Sequence, residues 1–247
     1  MKYKEYSSDI WNSINATLDQ VLEEQSQPVA AFDADGTLWD IDLGENFFQY
    51  QIDHNLVKLP PNPWEHYQDM KAADPRKAYL WLAQICQGHS LKEIQSWAKD
   101  AVKASAPIPI FSEQEKLIKL FMSRGVKIYI ITASVKWAVE AGAELLGLAS
   151  DSVIGIETES ANGIVSARQK GLITYRQGKV EALLEKTQGR LPFFASGNTM
   201  GDFQLLKAST HLSLAVSAAH EDEKLFKTEQ DLASEAEQNG WLRHRFI

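Results

Sequence analysis

Cysteine is nearly absent from this chain. Its 247 residues include one, Cys86, which excludes an internal disulfide or a thiolate-rich zinc site and suits a reducing compartment. The plain reading of that thiol is a small apolar residue of a helix. Long hydrophobic runs are missing too: nowhere do about 18 apolar residues follow one another, the minimum for a membrane helix. The N-terminal segment "MKYKEYSSDIWNSINATLDQVLEEQ" lacks the continuous apolar stretch of a secretion signal. From these absences we expect a soluble, cytoplasmic protein with no membrane partner. Positive charge is scarce, with 25 Lys and Arg against 33 Asp and Glu and a net charge of -8. Without an overall basic field, no nucleic-acid partner is expected, and a small anion would need a local cationic pocket or a metal. There are no internal repeats or low-complexity tracts. What remains is an ordinary globular composition, 44% hydrophobic and 23% charged, able to bury a sizeable core.

Hydrophobic periodicity alternates between helix and strand. Ile10, Ile14, Leu18, Val21 and Leu22 mark an amphipathic N-terminal helix. The segment "SEQEKLIKLFMSRG" reads as a helix with a capping box at Ser112 and Glu115 and a stop at Gly125. It leads into the strand "VKIYIITAS" and the helix "VKWAVEAGAELLGL", closed by Gly147. Asn162-Gly163 signals a hairpin. A helix at "KVEALLEKT", a strand at "LPFFAS", a short helix at "DFQLLKA" and a strand at "LSLAV" complete the series. Such βα alternation predicts an α/β fold with a doubly wound parallel sheet. Residues 41–109 break it: they read as helices punctuated by "LPPNP" and "APIP". We therefore expect a core of 1–40 and 110–247 and a smaller helical domain over 41–109. The acidic tail "HEDEKLFKTEQDLASEAEQ" reads as a solvated helix face.

In open α/β sheets ligands bind beyond the carboxyl ends of strands. Three such places carry polar groups. The uncharged run from Pro28 to Phe32 ends in Asp33-Ala34-Asp35-Gly36-Thr37; the second strand ends in Thr132-Ala133-Ser134; the third leads into Asn198-Thr199-Met200-Gly201-Asp202. Lys179 opens the helix before that third strand, with Lys170 as its rival. A calcium loop counted from Asp33 fails, because its sixth position is Leu38 and its twelfth Gly44. An isolated Asp-x-Asp-Gly would be a simple turn, but here it has partners.

In order and spacing, these residues resemble the four motifs of the haloacid dehalogenase superfamily of phosphohydrolases. Asp33-x-Asp35-Gly36-Thr37 is similar to the first motif, Thr132 to the second, Lys179 to the third, and Asn198 to Asp202 to the fourth, over roughly Val29 to Val216. The insert after the first motif resembles the helical cap of the phosphoserine phosphatase branch. The resemblance implies a Rossmann-like core and a Mg²⁺-dependent phosphomonoesterase acting on a small phosphorylated metabolite. Asp33 is then the nucleophile, forming an aspartyl phosphate, and Asp35 the general acid and base. Thr132, Ala133, Ser134, Gly36 and Lys179 would surround the phosphoryl oxygens. Asp33, the Asp35 carbonyl, Asn198 and Asp202, directly or through water, would hold Mg²⁺. Asn198 departs from the pattern, since the family ordinarily has Asp there, and an amide brings no charge.

The branch also implies that Asp42 meets a substrate amine, and Arg76, the only arginine of the insert, reads either as a bidentate partner of a substrate carboxylate or as half of a surface ion pair on a helix. The many aromatics of the insert suggest core packing or, with Asp42 or Glu45 and Trp39 foremost, a cage for a quaternary ammonium such as that of phosphocholine. Ser134 reads equally as the N-cap of the next helix. Three other functions stand beside the phosphatase. A dehalogenase of the same superfamily would need no metal, and Asp35 with Thr37 favours phosphate chemistry instead. A phospho-acceptor switch would place its Asp deeper in the domain and lack a large insert. A binding protein with a degenerate site would rest on Asn198 alone.

Overall fold

The computed structural model describes residues 3–247; residues 1 and 2, which begin the 1–40 segment, lie outside it. A seven-stranded sheet has the order β4-β3-β2-β1-β5-β6-β7. Its strands are β1 (Val29–Phe32), β2 (Lys127–Val135), β3 (Val153–Ala161), β4 (Ile164–Lys170), β5 (Phe194–Gly197), β6 (Leu212–Ser217) and β7 (Leu242–Arg245). Neighbours are parallel except β3 and β4. All four residues of β1 are buried, which explains why that run carries no charge: helices cover both faces of a central parallel strand. From β1 the chain adds β2 on one side and β5 on the other, so a crevice opens at their carboxyl ends.

The helices are α1 (Ser8–Glu24), α2 (Leu43–Asp53), α3 (Pro63–Ala73), α4 (Pro75–Gln84), α5 (Leu91–Ala104), α6 (Ser112–Ser123), α7 (Lys136–Leu145), α8 (Gln177–Thr187), α9 (Phe203–Lys207) and α10 (Lys224–Gln238). Ile10, Ile14, Leu18 and Val21 form the buried face of α1, as their spacing predicts. The insert folds as α2 to α5. Pro63 and Pro75 occupy the first turns of α3 and α4, where a missing N–H costs nothing. Asn162 and Gly163 turn the β3–β4 hairpin with φ of 52° and 78°. That hairpin braces the insert: Leu91 N–H donates to the Gly163 carbonyl, and Gly88 N–H to that of Val165, at 2.8 and 2.9 Å. Among the described residues, no helix is long and apolar enough to cross a membrane.

Several local expectations are corrected. Ser112 is already helical; Phe111 stands at the cap position of α6 with no side-chain cap bond. A true capping box sits at Ser90 and Glu93 of α5. Cys86 is buried, but in the turn after α4. β7 was not signalled by alternation, because Leu-Arg-His-Arg reads as polar; it is an edge strand paired to β6. The acidic tail forms α10, yet that helix buries Glu229, Leu232 and Ala236.

Phe121 of α6 meets Phe32, Phe193 and Phe194 at centroid distances of 6.2, 5.4 and 5.2 Å. This cluster sits behind the strand that presents Asp33. Truncating Phe121→Ala should therefore cost about 3–5 kcal/mol, read as a fall in the urea midpoint with the slope unchanged; a shift within error would mean the cluster repacks freely.

Candidate active site

β1, β2 and β5 deliver Asp33, Thr132 and Asn198 to one crevice, and α8 brings Lys179 to its floor. A cavity of about 640 Å³ is lined by Asp33, Asp35, Gly36, Asp42, Thr132, Ala133, Ser134, Lys179, Asn198 and Asp202. Of the site residues expected from the sequence, Arg76 alone lies apart, exposed on the first turn of α4. Lys170 pairs with Glu157 at 3.1 Å instead of entering the crevice, so the lysine of the site is Lys179.

The Lys179 ammonium is 3% exposed and lies 2.5 Å from both Asp33 Oδ1 and Asp202 Oδ1. The backbone just before it is close-packed: a methyl group on Gly178 would overlap the Ile173 carbonyl oxygen. Burial pushes Asp33 up to about 7, with Asp202 adding to the rise and Lys179 opposing it. Burial alone would discharge Lys179, but Asp202 and Asp33 outweigh it and its pKa is raised. The second oxygen of Asp202 accepts from the backbone N–H groups of Asn198 and Thr199 at 3.2 and 3.1 Å. Asp202 is thus engaged on both sides, as a clamp for the loop after β5.

Asp35 is held from three places: the chain leaving β1, the first turn of α2 and the end of β2. Its Oδ1 accepts from Trp39 Nε1 at 2.8 Å and Leu43 N–H at 2.9 Å, and its Oδ2 from Ser134 Oγ at 2.6 Å. Burial raises its pKa, while these donors act in the opposite sense. Trp39 is wholly buried, so it orients Asp35 and cannot wall a ligand cage. Ser134 does not cap α7, whose cap position is Val135. The Thr132 hydroxyl accepts from Ser134 N–H at 3.0 Å, which leaves its own proton free to donate. Asp42 caps α2 through Glu45 N–H at 2.7 Å; burial, then Asp35 and Glu45, drive its pKa well above the usual carboxylate range.

Among the described residues no three acidic, His or Cys side chains stand together as a metal cluster. The donor set nevertheless suits a hard cation. Asp33 Oδ2 and Asn198 Oδ1 converge on the Thr37 hydroxyl at 3.2 and 3.3 Å. That hydroxyl has one proton to give, so one of the two oxygens is left for another partner. Oxygen-only coordination completed by water and phosphate is what Mg²⁺ takes.

Glu229 and Thr228 escaped the sequence reading. Glu229 is 2% exposed and accepts from Asn198 Nδ2 at 3.2 Å; Thr228 Oγ1 accepts from Met200 N–H at 3.1 Å. The spacing of Glu229, Leu232 and Ala236 along α10 marks a buried face, but the surrounding charge hides it.

A mostly parallel sheet that brings paired carboxylates and a buried lysine together at its switch point is an α/β core with an acidic strand-end site. The chain belongs to the haloacid dehalogenase-like hydrolases: the family model matches residues 30–207. It is similar to phosphorylcholine phosphatase of Pseudomonas aeruginosa, 23% identical over 141 residues, a match covering 42% of this chain and 40% of that protein. Among solved structures, a conserved protein of unknown function from Anaerococcus prevotii superposes with a TM-score of 0.73 at 15% identity, covering 98% of this chain and 95% of that one. A substrate-bound phosphoserine phosphatase superposes with a TM-score of 0.50 at 15% identity, covering 78% and 87% of the two chains. These structures share the fold.

Removing the buried ammonium would leave two desolvated carboxylates facing each other. Lys179→Met should cost about 3–5 kcal/mol in metal-free buffer, measured by urea denaturation. A neutral result would show that Asp33 and Asp202 do not depend on it.

Proposed function

We propose that this protein is a Mg²⁺-dependent phosphomonoesterase working through an aspartyl phosphate. The observation that carries the reading is the convergence of Asp33, Asp35, Thr132 and Lys179 on one cavity. Asp33 attacks phosphorus in line while Asp35 gives its proton to the leaving oxygen, so the ester P–O bond breaks as the Asp33–P bond forms. Asp35 then takes a proton from water, which attacks phosphorus and releases phosphate and Asp33. Thr132, Lys179 and backbone N–H groups hold the phosphoryl oxygens where charge accumulates. Asp33, the Asp35 carbonyl and Asn198 would hold Mg²⁺, whose charge would offset the repulsion between carboxylate and phosphate. Asp202 acts through Lys179 and the loop rather than by direct ligation. The buried lone thiol of Cys86 suits a cytoplasmic setting.

The segment 41–109 serves in this reading as a cap over the core of 1–40 and 110–247, excluding water and choosing the leaving group. Beyond the phosphate end, the cavity presents Asp42, Lys71, Tyr79, Tyr175 and Arg176. Lys71 pairs with Glu45 at 2.7 Å and lies 5.4 and 5.6 Å from the Tyr67 and Tyr79 rings. An intrinsic ammonium thus already fills the aromatic position that a choline group would take. Cationic and acidic groups together favour a zwitterionic leaving group of the phosphoserine type. Phosphocholine is the second reading, favoured by the similarity to phosphorylcholine phosphatase.

Two experiments test this. Hydrolysis of a generic aryl phosphate should require Mg²⁺, vanish in Asp33→Asn and fall by about 10²- to 10⁴-fold in Asp35→Asn; metal-independent turnover, or an active Asp33→Asn, would sink the reading. For the leaving group, kcat/KM should be higher for phosphoserine than for phosphocholine. Lys71→Met should reverse that order, lowering phosphoserine by about tenfold, the worth of one charged hydrogen bond. Preference for phosphocholine in the wild type would favour the second reading.

A further inference from the structure

The position where the family places a metal-binding carboxylate is Asn198, and the amide is not free to turn. Its Nδ2 donates to Glu229 Oε1 at 3.2 Å, while its Oδ1 faces the Thr37 hydroxyl that also reaches Asp33 Oδ2. Glu229 cannot reverse this contact, because its other oxygen accepts from the Ala218 and Ala219 backbone N–H groups at 3.1 and 2.9 Å. A carboxylate held in that way offers only acceptors to its neighbour. Gly36 permits the close approach: at φ 75° it has no side chain, and a methyl there would overlap the Asn198 amide.

We propose that Asn198 and Glu229 together replace the missing aspartate. Glu229 is a positioning residue that keeps Asn198 Oδ1 turned toward the cation, and it supplies from behind the negative charge that the amide lacks. Ligand oxygens in metal sites are oriented by such outer partners. The inference rests on the Mg²⁺ site of the proposed function, but it concerns binding rather than turnover.

The hydrogen-bond chemistry makes the test specific. In Glu229→Gln the side-chain oxygen must stay on the two backbone N–H groups, so its NH₂ faces Asn198. The Asn198 amide then turns over, and its NH₂ points at the cation. In Asn198→Asp alone, two carboxylates confront each other. In the double variant Asn198→Asp with Glu229→Gln, the Gln NH₂ donates to the new carboxylate and every polar atom is matched again.

Mg²⁺ binding to the purified full chain is measured by titration calorimetry, without substrate, and thermal melting in metal-free buffer reports folding. Glu229→Gln should bind Mg²⁺ about 10- to 100-fold more weakly than wild type. Asn198→Asp should gain no affinity, and the double variant should return to wild-type affinity or better. Rescue cannot come from an unfolded protein, so a poorly folded single variant does not blunt the result. The proposal is overturned if Glu229→Gln binds as wild type, if Asn198→Asp alone tightens binding, or if the double variant stays as weak as Glu229→Gln. It is also overturned if the wild type takes up no Mg²⁺. A protein that binds Mg²⁺ with this pattern but hydrolyses no phosphate ester would instead refute the phosphatase reading and leave the pair intact.

Discussion

The site is organised around one buried ammonium. Lys179 touches Asp33, which follows β1, and Asp202, which closes the loop after β5. Two carboxylates out of water are tolerable only with a counter-charge at contact distance. The lysine therefore ties the two loops together and works against the burial that raises the Asp33 pKa. Because Asp202 spends its second oxygen on the backbone of its own loop, the same ion pair determines where Asn198 stands. One interaction on α8 thus fixes groups carried by two neighbouring strands.

Asp35 is governed from the other direction. Two of its three donors, Trp39 and Leu43, belong to the chain that leaves the core or to the first turn of α2. Placement of the insert and placement of the acid are therefore one problem. The contact that solves it is tight: a methyl group on Gly142 of α7 would crowd both Leu43 and Trp39. Displacing α2 from α7 would loosen Asp35 while leaving Asp33 in place. In the proposed function the fold thereby separates the attacking group, held by the core, from the proton donor, held in part by the first turn of α2.

What the sequence disclosed follows the same division. The strand ends were legible because an uncharged run followed by acids, or by Thr and Ser, has few other uses in a parallel sheet. The Asn162-Gly163 turn was legible because both residues accept positive φ. The helical insert showed as an interruption of βα alternation. Interactions that depend on tertiary approach stayed hidden. Trp39 looked like a wall for a ligand until its indole proved to face Asp35, and Ser134 looked like a cap until its hydroxyl proved to reach across from β2. Arg76 seemed useful because it is the only arginine of the insert, a feature of composition that says nothing about direction. Glu229 was lost among its acidic neighbours, although its helical period with Leu232 and Ala236 points inward.

Charge balance explains why these pieces belong together. Asp33, Asp35, Asp202 and Glu229 all line the cavity, and Lys179 is the ammonium that touches two of them. Burial raises the pKa of Asp33, Asp35 and Glu229, which is the cost of crowding carboxylates out of water. A phosphate ester entering in that state would add further negative charge to a desolvated crevice. In the proposed function Asp33 and Asn198 would hold a divalent cation, which would favour deprotonated ligands and give the incoming oxygens a partner. The proposed reaction asks Asp33 to act ionised and Asp35 to give a proton. Contact with Lys179 works toward the first, against burial and Asp202. Burial works toward the second, against the three donors that hold Asp35.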